Sequence, residues 1–266
     1  QGASFRIGKR LKWPDNYFRA FWTISASQKT YKGNEEDLID YGLARISNSV
    51  GLSISQTVTR DSRNHPEFPS RGSSFAWTST LSGGPLSSKL LPVHENFHKH
   101  TLKFDWYTNP FWKAAIVSSW QFGAIKELNS RHTEKTIIPI DEKFIMGGSG
   151  IPYGTLLRGY QDNTVGPYKR YPIGGRVMMK YVTELRFFSD NPTVYGLIFA
   201  EMGNNWLNFG ETDPFDLKRS AGFGIRMFMP MLGMLGFDMG YGFDDIHLTE
   251  KNPEGWRFHV LFGMPL

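Results

Sequence analysis

The stretch Leu235-Gly236-Phe237-Asp238-Met239-Gly240-Tyr241-Gly242-Phe243-Asp244 decides the fold class. Its odd positions are all large and apolar, and its even positions are only Gly and Asp. That is strict period two, the mark of a strand with one apolar face. Working outward, the final segment repeats it, with Trp256, Phe258, Val260 and Phe262 alternating with Arg257, His259, Leu261 and Gly263. Upstream, Val177, Met179, Tyr181, Thr183, Leu185 and Phe187 alternate with Met178, Lys180, Val182, Glu184 and Arg186. Phe223, Ile225 and Met227 alternate with Gly222, Gly224 and Arg226 in the same way. Eleven such segments lie near 3–12, 17–28, 50–60, 73–83, 99–108, 112–124, 176–188, 193–203, 216–229, 234–244 and 255–264. No segment carries convincing helical periodicity.

A soluble antiparallel sandwich would also alternate. The segment lengths argue against it. Soluble strands usually run ~5–6 residues, whereas a tilted strand crossing a bilayer needs ~9–11. One face is apolar and aromatic in nearly every segment, and the other holds Gly, Ser and charges of both signs, as in a transmembrane barrel. No stretch of the 266 residues is long and apolar enough for a spanning helix. The absence of Cys excludes disulfide scaffolds, thiol nucleophiles and Cys-ligated metals. The net charge of +5 is scattered rather than gathered in a stripe, so no nucleic-acid partner is expected.

The connections alternate between short and long. Trp13–Asn16, Asn109–Phe111, Ser189–Pro192 and Pro230–Gly233 are short, and Asp61–Gly72 is of medium length. Between them fall 29–49, 84–98, 125–175, 204–215 and 245–254. Barrels of this class have short periplasmic turns and long extracellular loops, which places the C-terminus on the periplasmic side. Counting back puts Gln1 on the extracellular side, and eleven is an odd number for a bacterial barrel. The expectation is an all-β antiparallel transmembrane β-barrel of which 1–266 is the C-terminal portion.

Enzyme signals are weak. There is no H-E-x-x-H, G-x-S-x-G, Walker loop or dinucleotide fingerprint. His94, His98 and His100 read as a loop running into a strand rather than as a metal site, and no cofactor or metal is expected. The acidic run Asn34-Glu35-Glu36-Asp37 reads as a solvated loop. The 125–175 loop is the exception, because long loops in compact folds are usually functional. It holds Gly147-Gly148 and then Leu157-Arg158-Gly159-Tyr160.

Here the chain resembles the BamA-like outer-membrane insertase superfamily, which takes in TamA, Sam50 and the two-partner-secretion transporters. That family carries G-G followed by (V/L)-R-G-(F/Y) in a long loop. Thr59-Arg60-Asp61-Ser62-Arg63 with Phe68-Pro69 and Gly72 resembles its T-x-D-x-R…F-P-x-x-G segment. Phe199-Ala200-Glu201-Met202-Gly203 is similar to its F-x-D-x-G, with Glu in place of Asp. Gly255–Gly263 resembles the final-strand targeting signal, although the chain ends Met264-Pro265-Leu266 rather than on an aromatic residue.

The resemblance implies a sixteen-stranded barrel preceded by POTRA domains, with these eleven strands as the last eleven. It implies no enzymatic activity, but a factor that folds and inserts β-barrel proteins into the bacterial outer membrane. Partners would be outer-membrane lipids, unfolded barrel clients, periplasmic chaperones and the accessory lipoproteins of a BAM-type complex. A secretion transporter of the same superfamily and a passive porin are the alternatives. The resemblance further implies that the loop folds into the lumen and that Arg158 meets carboxylates on the wall. Alternation offers Glu201 and Glu184 as those partners. Gly159 would allow a tight turn, and Tyr160 would pack on the wall. Trp256, Phe258, Val260, Phe262 and Gly263 would form one side of a weak seam. If Arg158 and Glu201 pair, exchanging the two charges is expected to restore function in part.

Overall fold

The computed structural model describes residues 1–32, 48–87, 93–129, 136–150, 154–189, 193–231, 233–246 and 255–263. The acidic run at 34–37 and the last three residues lie outside these. Among the described residues there are eleven strands: β1 (Gly2–Arg10), β2 (Phe18–Thr30), β3 (Asn48–Asp61), β4 (Gly72–Ser82), β5 (Phe97–Thr108) and β6 (Ala114–Glu127), followed by β7 (Val177–Phe188), β8 (Val194–Trp206), β9 (Lys218–Met229), β10 (Gly233–Gly242) and β11 (Gly255–Gly263). They form one sheet in sequence order, with β1 and β11 at its edges. No helix among the described residues is long and apolar enough to cross a membrane, which says nothing about strands.

The expected alternation is built into the register. Asp238 stands opposite His259 and Gly224, and the Phe237–Val260 pair comes next. The apolar face is open: Trp120, Ile198, Phe223, Ile225, Trp256 and Phe258 are all exposed large side chains. The other face buries charge instead, including Lys180, Glu184, Arg186, Glu201, Arg226 and Asp238. A face this apolar and this exposed is what lipid, not water, would cover.

Most strand ends differ from the sequence reading by one to three residues, and two of them show why. β6 starts at Ala114, not near 112, because Ala114 N–H donates to the Phe111 carbonyl and Asn109 Nδ2 donates to the Ala114 carbonyl. Those bonds hold 109–113 as a turn. β8 runs on to Trp206, although Asn204-Asn205-Trp206 reads as the start of a loop, because β7 supplies Met179, Met178 and Val177 as ladder partners. Tertiary pairing overrides the turn preference of Asn here.

Contacts divide the chain into two compact units. One comprises 1–60, 76–102 and 123–143. In it Lys29 Nζ lies 2.8 Å from Asp141 and 3.5 Å from Glu95, and Lys99 Nζ lies 3.0 Å from Glu142. These pairs fasten the 137–143 segment to β2 and β5. The other unit comprises 61–75, 103–122 and 144–266. It holds β7 to β11 and the part of the long loop that carries the motif.

Candidate functional site

The loop organises itself before it meets the wall. Val165 N–H donates to the Met146 carbonyl at 3.0 Å, and Leu157 N–H to the Gly148 carbonyl at 3.1 Å. Gly147 and Gly148 make the bend at φ 130° and 57°, where L side chains are strained. Ser149 N–H and Oγ both donate to Asp162 Oδ1, at 2.6 and 2.7 Å. Phe144 and Gly175 exchange backbone bonds at the base. The result presents Leu157, Arg158 and Tyr160 against the charged face of β7–β10, each 0 % exposed.

Arg158 meets three carboxylates. Nη2 lies 2.9 Å from Glu184 Oε1, Nε lies 3.2 Å from Glu201 Oε1, and Nη1 lies 3.2 Å from Asp238 Oδ2. Its backbone N–H donates to Glu201 Oε1 as well. The guanidinium sits 3.6 Å above the Phe199 ring centroid, a cation–π contact. Each carboxylate also has a cation from the wall. Arg186 Nη2 is 2.7 Å from Glu184, Lys180 Nζ is 3.4 Å from Glu201, and Arg226 grips Asp238 through both guanidinium nitrogens. Lys180 Nζ donates to the Leu156 carbonyl, tying the loop a second time.

The next two motif residues are seated as closely. Gly159 N–H donates to His259 Nε2 at 2.9 Å, so that nitrogen is unprotonated and Nδ1 carries the hydrogen. Tyr160 Oη donates to the Arg219 carbonyl at 2.6 Å and accepts from Asp244 N–H at 3.3 Å. Arg219 in turn chelates Asp244, with Nη2 at 2.7 Å and Nε at 3.1 Å. Burial raises the pKa of Asp244, but the Arg219 side-chain and backbone bonds outweigh it and hold the carboxyl below 3.8. A depressed folded-state pKa means the clasp contributes fully above the unfolded value and is lost as pH falls through the folded one. Amide exchange at Phe243 and Asp244, corrected for its intrinsic pH dependence, should therefore quicken on acidification below about pH 4. Asp244→Asn should abolish that pH dependence.

The structure brings Glu184 and Glu201 together around Arg158. Sequence reasoning missed Asp238, Lys180, Arg186 and Arg226 as members of the same cluster. Asp238 had a signal, as a charge among the glycines of β10. Trp256, Phe258 and Phe262 stand on the exposed face of β11, Val260 is partly buried, and Gly263 closes the strand at φ 101°. His100 stacks with Trp77 and meets His98 at a 60° tilt, and His98 Nε2 is 3.1 Å from Ser79 Oγ. His94 Nδ1 accepts from Val50 N–H.

A family model described as the Omp85 superfamily domain matches residues 1–263. The chain belongs to the Omp85 superfamily. This Omp85 chain is 26% identical over 235 residues to the outer membrane protein assembly factor BamA of Nitratidesulfovibrio vulgaris, spanning 84% of this chain and 27% of that one. It is 28% identical over 151 residues to a SAM50-like protein of Schizosaccharomyces pombe, spanning 52% and 27%. The chain thus spans about a quarter of the length of these curated relatives. Its backbone matches the crystal structure of BamA from Haemophilus ducreyi lacking POTRA domains 1–3, with a TM-score of 0.69 at 17% identity over 97% of this chain and 53% of that one. That likeness is one of fold, and it makes the eleven strands of this Omp85 domain the wall of a transmembrane barrel.

Proposed function

We propose that this chain is the C-terminal part of a sixteen-stranded outer-membrane barrel, preceded in the whole protein by five further strands and POTRA domains. The whole protein folds and inserts β-barrel proteins into the outer membrane. Superfamily membership alongside BamA and SAM50-like relatives carries this reading. In this orientation the short turns and the C-terminus are periplasmic and the long loops extracellular. The partners are outer-membrane lipids, unfolded barrel clients, periplasmic chaperones and accessory lipoproteins.

The physical task is to bring strands into lipid, where an unpaired backbone group costs several kcal/mol. β11 is an edge of the described sheet. A client strand adding to such an edge satisfies its own N–H and C=O groups as it enters. The seam side is β11, with Trp256, Phe258 and Phe262 toward lipid. The buried loop cluster keeps β7–β10 in one register while that edge exchanges partners. Leu157, Arg158, Gly159 and Tyr160 are the residues that hold the loop, Glu184 and Glu201 receive it, and Gly147 and Gly148 set its bend. No nucleotide or catalytic group enters this scheme.

The test is client folding in proteoliposomes. Full-length protein is expected to speed insertion of a urea-unfolded barrel client, read as heat-modifiable mobility on gels, over empty vesicles. No acceleration overturns the proposal. Passage of an unfolded partner into the vesicle interior, without client insertion, would mark a secretion transporter instead.

A further inference from the structure

The Asp61–Gly72 turn is long for the short-turn end of the sheet and is held by its own bonds. The Asn64 side-chain oxygen accepts from Ser70 N–H at 3.0 Å and Arg71 N–H at 2.9 Å. His65 Nδ1 accepts from Glu67 N–H and Phe68 N–H. Arg63 chelates Asp61 and reaches the Pro66 carbonyl. Such a frame fixes one side chain, Phe68.

Phe68 does not point to solvent. Its ring meets Tyr195 edge-on at 6.0 Å and Phe228 at 6.2 Å. It packs on a buried cluster of Tyr195, Leu197, Phe199 and Met234, joined by Phe188 and Phe228. These wall residues lie on the charged, loop-covered face of β7–β10, in the rows nearest the short turns. A barrel lumen is ordinarily polar. Here the polar cluster around Arg158 stands on an apolar floor, with Phe199 under Arg158 and the Tyr195 ring 5.4 Å from the Arg186 guanidinium.

We propose that the 61–72 turn is a plug, and that Phe68 closes the short-turn end of the lumen to ions and small solutes by keeping this apolar floor dry. The placing of the lumen rests on the barrel reading above. Apolar constrictions exclude water and ions without filling the whole cross-section, because hydrating the apolar wall is unfavourable. Removing the ring admits water to the floor, and a smaller apolar ring substitute does not.

The experiment is conductance of the full-length protein in planar lipid bilayers, alongside the client-insertion assay. Phe68→Ala and Phe68→Ser are expected to raise mean conductance several-fold over the parent, with Phe68→Leu close to the parent. Asn64→Ala, which keeps the ring but releases its frame, should raise it too, and serves if the Phe68 variants fail to fold. Heat-modifiable mobility reports the fold. Folded Phe68→Ala with parental conductance overturns the plug, as does a parent that conducts freely. Raised conductance supports the plug whether or not clients insert. A parent that stays closed and inserts no client fails the proposed function alone.

Discussion

Exchanging Glu201 for glutamine is expected to destabilise the barrel more than removing Arg158 itself. Among the described residues, four cations (Arg158, Lys180, Arg186 and Arg226) face three carboxylates (Glu184, Glu201 and Asp238), all nearly inaccessible to solvent. Each carboxylate already has a cation on the wall. Arg158 is the surplus charge that the loop brings. Arg158→Ala leaves three matched pairs, and its cost is lost charge-assisted hydrogen bonds and an unfilled space, about 2–3 kcal/mol. Glu201→Gln leaves Lys180 and Arg158 sharing a site that has lost its charge, with Lys180 deprived of the carboxylate that lies 3.4 Å from its Nζ. Leaving a buried cation uncompensated costs about 3–5 kcal/mol. Urea unfolding of the full-length barrel in detergent measures both. Lys169→Ala, on the exposed stretch of the same loop, should stay within about 0.5 kcal/mol of the parent. Arg158→Ala costing more than Glu201→Gln would show that the wall pairs do not offset one another as the distances imply.

The same arithmetic revises an expectation drawn from the sequence. An Arg158–Glu201 couple in isolation would tolerate a charge swap. In the structure the swap places a glutamate at 158 against Glu184 and Asp238, and an arginine at 201 against Lys180. Both new contacts repel, so no rescue is expected. What the sequence could show here followed from its period. Strand number and the facing of each side chain come directly from alternation, so Glu184 and Glu201 could be placed on the wall. Alternation carries no information about which rows of different strands lie level with a loop tip. Asp238 joins the cluster only because Gly224 and His259 stand opposite it, a register that two other strands decide. Phe68 was legible as part of a motif, but its insertion onto Tyr195 depends on how the turn closes on itself through Asn64 and His65. Side-chain bonds between residues two to seven apart leave no periodic trace.

Gly240→Val is expected to undo the loop's seat without touching a charge. A Cβ at 240 would stand 2.6 Å from Gly159 N, 3.0 Å from Gly159 Cα and 3.1 Å from the Arg158 carbonyl carbon. These are backbone atoms of the motif and cannot swing aside like a side-chain end. Gly159, at φ 84°, meets the same limit from its own side, with a Cβ there 2.8 Å from Gly242 N. The two glycines are what let loop and strand touch backbone to backbone, which puts the Arg158 guanidinium level with all three carboxylates. Overpacking alone costs about 1–3 kcal/mol. Lifting the loop also stretches the Arg158 contacts and the Gly159–His259 bond, so the total should match or exceed that of Arg158→Ala. Gly196→Ala, whose new Cβ meets nothing closer than the Gly224 carbonyl oxygen at 4.0 Å, is the control and should be near neutral. The decisive comparison is a double-mutant cycle. If Gly240 acts by seating Arg158, Gly240→Val in an Arg158→Ala background should cost clearly less than it does alone. Strict additivity would mean that the close approach at Gly240 stabilises the barrel by itself, and that the charges neither need it nor depend on it.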